Sequence, residues 1–184
     1  VQTCALPILL QWREQRPDII YIFSKDILRH RRAQKEDAVW LKKGEEYKDE
    51  TLSVRAFGST DVGVSFLLQA SGKKIFHAGD LNNWHWMDES TEAEWKGAEK
   101  NFLHELDDLY AYTPEVDVAM FPVDPRLGKE YMRGAGQFVT KIKTHIFVPM
   151  HFTPEYAKAN AFRDFAEAHG VRFVSLTHRG QKIE

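Results

Sequence analysis

A single cysteine, Cys4, occurs in the 184 residues. An internal disulfide is therefore excluded, and the count suits a reducing compartment, which points to the cytoplasm. Neither sign of charge dominates: 25 Lys and Arg face 27 Asp and Glu, for a formal net charge of −2. Nucleic-acid binding would call for a clustered basic surface, which this balance does not supply. The one dense basic run, Arg29-His30-Arg31-Arg32, reads as a solvated helix end. No apolar run approaches the roughly 18 residues that span a bilayer, so no membrane partner is expected. The stretch from Ala5 to Leu10 is too short and lacks a basic n-region and a cleavage site. A phosphate loop of the G-x-x-x-x-G-K type and a G-x-S-x-G nucleophile elbow are also missing. Gly134-Ala135-Gly136 lies inside a helical pattern and is no dinucleotide fingerprint.

What remains is an ordinary globular composition, 43% hydrophobic and 28% charged, long enough for one domain over residues 1–184 with a real core. The chain begins at Val1 and not at Met. The expectation is a truncated reading frame whose residues 1–8 stand outside the natural fold. Asp18 to Phe23 reads as a buried strand, preceded by a helix over Leu9 to Gln15 and followed by a short helix capped by Ser24. Four short β-type runs follow: Val39 to Leu41, Leu52 to Phe57, Val62 to Leu68 and Lys74 to Phe76. Turn signals at Lys43-Gly44-Glu45, Gly58-Ser59-Thr60-Asp61 and Ser71-Gly72-Lys73 make them an antiparallel meander.

Beyond Asp80 the pattern changes to helices alternating with strands. Thr91-Glu92-Ala93-Glu94 is a capping box that opens a helix with Trp95, Phe102, Leu106 and Leu109 on one stripe. Asp117 to Phe121 and His145 to Met150 read as buried strands, with a helix between them marked by Tyr131, Ala135, Phe138, Val139 and Ile142. Thr153-Pro154 opens a last helix with Ala157, Ala161, Phe165 and Ala168 inward, stopping at Gly170. Val171 to Leu176 and Lys182-Ile183 read as closing strands. A meander followed by α/β units without a linker is one layered α/β domain.

Two strand ends carry candidate chemistry. Lys74 to Phe76 runs into His77-Ala78-Gly79-Asp80, where the glycine permits a sharp turn and a close approach. Ile146 to Met150 delivers His151 before a helix start, the mouth of an α/β layer where ligands bind. A carboxylate and an imidazole so placed suit a metal site. Asp80 as a turn cap and His151 as a packed side chain are the competing readings. Trp84-His85-Trp86 either plugs an edge or walls a substrate pocket. Asp124 and Arg126, in Phe121-Pro122-Val123-Asp124-Pro125-Arg126, should emerge on the same rim and either orient a ligand or form a structural ion pair. Asp61 is a further candidate for that rim.

On Phe76-His77-Ala78-Gly79-Asp80, Phe121-Pro122-Val123-Asp124-Pro125-Arg126 and Val148-Pro149-Met150-His151, the chain from about Arg16 onward resembles the metallo-β-lactamase-fold hydrolases. The resemblance implies a four-layer αββα sandwich, incomplete on its N-terminal side. It also implies that Asp80 bridges two metal ions and that His151 ligates one of them. Zinc is the first expectation, with manganese or iron as alternatives. A metal-held hydroxide would attack an ester, lactone, amide or phosphoester of a small-molecule substrate, and Asp80 would take up a proton as the leaving group departs. Trp84, His85, Trp86, Asp124, Arg126 and Asp61 are the candidate substrate contacts, from their expected place on that rim. The family's H-x-H-x-D-H signature is absent, and no H-x-H occurs among the eight histidines. It is expected upstream of Val1, which predicts weak metal binding and impaired activity for this chain. A histidine that many members carry before the Gly-Asp turn is also missing, with Ser59 or Asp61 in the matching region. The alternative function is a non-catalytic α/β binding or interaction module.

Overall fold

The computed structural model describes residues 11–29 and 35–183. The expectations for Cys4, for the apolar Ala5 to Leu10 stretch, for residues 1–8 and for most of the basic run fall outside them. Residues 11–15 are helical (α1), and Asp26–Arg29 forms α2. Two strands, β1 (Ile22–Ser24) and β2 (Val39–Leu41), pair in parallel as a small sheet. The remaining strands form one seven-stranded sheet in sequence order: β3 (Glu46–Lys48), β4 (Leu52–Phe57), β5 (Ser65–Ala70), β6 (Lys73–His77), β7 (Glu115–Pro122), β8 (Lys143–Met150) and β9 (Arg172–Phe173).

The first four strands of that sheet are an antiparallel meander, but Val39–Leu41, expected as its first strand, pairs in parallel with β1 in the small sheet instead, and β3 takes the first place. From β6 onward every pairing is parallel. Each parallel step needs a helical crossover. These are α3 (Glu92–Tyr112), α4 (Arg133–Lys141), and the short pair α5 (Tyr156–Asn160) and α6 (Arg163–Ala168). The start of α3 is fixed by the expected capping box: Thr91 Oγ1 accepts from the Glu94 N–H, and Glu94 accepts from the Thr91 N–H.

Strand alternation divides the core in two. Leu67, Phe76, Ala119 and Phe147 point to the helical side and join Phe102, Leu106 and Leu109 of α3 and Phe138 of α4. Phe121 is the hub of that core, 4.6 Å from Phe138, 6.2 Å from Phe102 and 6.3 Å from Phe147 between ring centroids. On the other face, Val54 and Ala56 pack with Leu41, Ile22, Val39, Phe66 and Leu68 beneath the small β1–β2 sheet. The described layers are thus helices, a large sheet and a small sheet. Among the described residues no helix is long and apolar enough to cross a membrane.

Several expectations are corrected. The strand expected at Asp18 to Phe23 spans only Ile22–Ser24, and Ile19 and Ile20 are exposed. A short apolar run signals burial somewhere, not along its whole length. Strand β3 escapes a hydrophobic reading because Glu46 and Lys48 are charged and exposed on the sheet's margin. The next meander strand lies at Ser65–Ala70, not Val62 to Leu68, and Val62 is exposed. The last helix breaks into α5 and α6, starts after Glu155, and turns Ala159, Phe162 and Ala166 inward while Phe165 is exposed. An alanine-rich segment offers more than one apolar face, and the true start selects it. Only Arg172–Phe173 of the expected closing strands pairs. Beyond it the Asn160 side chain takes up both backbone groups of Leu176, replacing a ladder partner.

Candidate metal centre

Three consecutive parallel strands each release one polar residue at the carboxyl end: Asp80 after β6, Asp124 after β7 and His151 after β8. This is the edge of an open α/β sheet where ligands bind. Gly79 makes the first release possible. It adopts φ +58°, and a Cβ there would lie 2.9 Å from the Val64 carbonyl oxygen. Both the backbone conformation and the close approach therefore require glycine. His151 adopts φ +66°, a left-handed conformation uncommon outside glycine.

The three side chains converge. His151 Nε2 lies 3.2 Å from Asp80 Oδ1, and His151 Nδ1 lies 2.9 Å from Asp124 Oδ2. Asp124 is 1% exposed and also accepts from Arg126, through Nε at 2.9 Å, Nη2 at 2.5 Å and the backbone N–H at 3.0 Å. Burial acts to raise the Asp124 pKa, but the bonds from His151 and Arg126 outweigh it and hold the carboxylate well below its usual range. The bonds to Asp124 and then Asp80 push the His151 pKa up to about 9, against the opposing effect of burial. The imidazole is thus a cation between two anions at neutral pH, with both ring N–H groups donating.

A site that favours one positive charge between carboxylates also suits a metal ion. Two ligand atoms held at 2.0–2.2 Å around a tetrahedral ion stand about 3.4 Å apart, close to the 3.2 Å between His151 Nε2 and Asp80 Oδ1. Asp124, holding the opposite ring nitrogen, has the position of the carboxylate that orients a ligating histidine. Two donors and an orienting group fit. Among the described residues, however, no group of three His, Cys, Asp or Glu that could hold a metal ion occurs.

The loop after Asp80 closes one side of the pair. The Trp84 indole N–H donates to the Asp80 carbonyl oxygen at 2.8 Å, and its ring meets His151 edge to face at 5.3 Å. Trp86 stacks on Trp84 at 6.5 Å. The loop is tied to the helical layer by Asn83, whose amide donates to Glu99 and Gln137. Gly134 lets α4 come close, since a Cβ there would meet Asn82 Oδ1 at 2.0 Å. His85 is turned inward. It is 1% exposed, with Nε2 on the Glu130 carbonyl oxygen and Nδ1 accepting from the Met87 N–H, so it braces two loops against each other. Asp124 offers no free oxygen to a substrate. Asp61 is exposed, and its field reaches Arg126 together with that of Asp80. Ser59 is half-buried, and its hydroxyl accepts from the Asp61 N–H.

The pairing of Asp124 with His151 is the feature sequence reasoning misses, because the Asp-Pro-Arg spacing signals a rim pair and not which imidazole it meets. The Asn83 network has no sequence signal at all.

No family model matches the chain, and no curated protein matches it in sequence. Solved structures do resemble it. A provisionally named metal-dependent hydrolase of Parabacteroides distasonis shares 15% identity at a TM-score of 0.58, over 85% of this chain and 64% of its own. Igni18, a metallo hydrolase of the hyperthermophilic archaeon Ignicoccus hospitalis, also gives 15% and 0.58, over 91% of this chain and 69% of its own. YhfI of Bacillus subtilis, a metallo-β-lactamase fold protein, gives 8% and 0.53, over 92% and 70%. The chain thus spans less than two thirds of the first of these proteins, and at such identities the likeness is one of fold.

Proposed function

From the metallo-β-lactamase fold that this chain has, we propose that it belongs to a metal-dependent hydrolase acting on an ester, lactone, amide or phosphoester. The observation that carries this reading is the convergence of Asp80 and His151 on one point, with Asp124 behind the imidazole. In this reading His151 would hold the ion through Nε2, once that nitrogen has lost the proton it otherwise donates to Asp80. Asp124 keeps the Nδ1–H and fixes the ring plane. Asp80 would supply the second donor and would relay a proton from the attacking water to the departing group. This reading requires donors beyond Asp80 and His151. A bound zinc ion, or manganese or iron in its place, would act as a Lewis acid on the substrate oxygen and lower the pKa of a bound water, to about 7 for zinc. The Trp84–Trp86 loop restricts water on one flank.

The test is zinc titration of the chain by calorimetry, with manganese and iron(II) in parallel. Saturable binding is expected, lost in Asp80→Asn and in His151→Ala. Zinc uptake unchanged by both substitutions would overturn the reading. A second reading, a non-catalytic α/β binding module, is favoured by the lack of a third donor among the described residues. It predicts no saturable uptake in any variant.

A further inference from the structure

We propose that Arg126 and Trp84 form a recognition subsite for a flat apolar group bearing an oxyanion, so that the substrate class is an anionic aromatic or similarly planar ester or lactone. This deepens the hydrolase reading and rests on it for the word substrate. Both groups flank one imidazole: the Trp84 ring centroid lies 5.3 Å from that of His151, and Arg126 Nη2 lies 3.4 Å from His151 Nδ1, the two cations being joined through Asp124. Both are also locked before any ligand arrives. The indole plane is fixed by its N–H on the Asp80 carbonyl oxygen, and the guanidinium by its two-pronged grip on buried Asp124. Asp124 uses Nε and one N–H of Nη2, while the Arg126 side chain remains 56% exposed. A guanidinium has five N–H groups, so its outer edge keeps donors in the geometry that matches a carboxylate or phosphate. Pre-fixed flat groups lose little freedom on binding, which favours a planar partner over a flexible one.

The test is binding of benzoate, phenyl phosphate, benzamide, acetate and inorganic phosphate to the metal-free 184-residue chain, read by tryptophan fluorescence and calorimetry. Benzoate or phenyl phosphate should bind about tenfold more tightly than benzamide, the size of one charge-assisted contact. The better of the two identifies the oxyanion. Arg126→Gln should erase that preference and Arg126→Lys restore part of it. Trp84→Leu should erase the advantage of benzoate over acetate and of phenyl phosphate over inorganic phosphate. If the Arg126 variants do not fold, the wild-type affinity must still weaken with salt for the anions and not for benzamide. Equal binding of benzoate and benzamide, the absence of any binding, or anion binding indifferent to Arg126→Gln would overturn the proposal. None of these probes is hydrolysed or needs a metal. A chain that takes up zinc but prefers benzamide would therefore sink this inference alone.

Discussion

The middle of strands β6 to β8 and the ends of the same strands are held together in opposite ways. In the middle, Phe76, Ala119 and Phe147 lie side by side in register, each fully buried beneath α3 and α4. Their contacts are numerous, weak and mutually substitutable, as dispersion contacts in a core are. At the ends, Asp80, Asp124 and His151 depend on a few directional bonds between charges, on a left-handed His151 backbone and on one obligatory glycine. The core fixes where the ends come out, and the ends add a charge-dependent contribution that the core lacks. Parallel neighbours in a sheet stand about 4.8 Å apart, so residues released at the same level fall within reach of one another without any long loop.

That contrast can be broken most forcefully from the core side. Phe121→Ala removes the ring shared by Phe102, Phe138 and Phe147 and should cost about 3–5 kcal/mol in urea unfolding. If it left stability unchanged but abolished zinc binding, the division of labour would be wrong. The next effect comes from the rim and depends on pH. The folded His151 pKa of about 9 lies above its unfolded value of 6.5, so its stabilisation is complete below pH 6.5 and is lost as pH rises through 9. The metal-free chain should therefore lose about 3 kcal/mol between those limits at 1.36 kcal/mol per unit. The loss should be much smaller in Asp124→Asn, whose wild-type carboxylate is the first cause of the shift. A pH-independent unfolding midpoint over this range would contradict the ion-pair geometry. The smallest effect sharpens the picture. Asp124→Asn should weaken zinc binding about 10- to 100-fold through the freed imidazole. Unaltered zinc affinity would make Asp124 a structural ion pair and nothing more.

How much could be read in advance follows the same division. The meander, the capping box at Thr91 and the strands ending in Asp80 and His151 are legible because apolar alternation and turn residues act locally. Gly79 was legible too, since only a tight turn or a close approach calls for glycine at that position. The inward face of α5 and α6 was not, because Ala157 and Ala159 are indistinguishable until the helix start is known. Which of its two readings His85 takes is not legible for a related reason. An aromatic-rich loop looks like a pocket wall, and nothing local says that the Glu130 carbonyl will occupy its ring nitrogen. The same blindness hid the contact of Asp124 with His151, which depends on strand order and not on either neighbourhood.

The margins of the large sheet have a consequence for behaviour at high concentration. One margin, β3, presents exposed Glu46 and Lys48, and the other, β9, is two residues long. A row of unsatisfied main-chain groups is what lets one molecule zip onto the next, and here charge repels such zipping at one side while brevity starves it at the other. Polymerisation through these borders is thereby discouraged before any chaperone is involved.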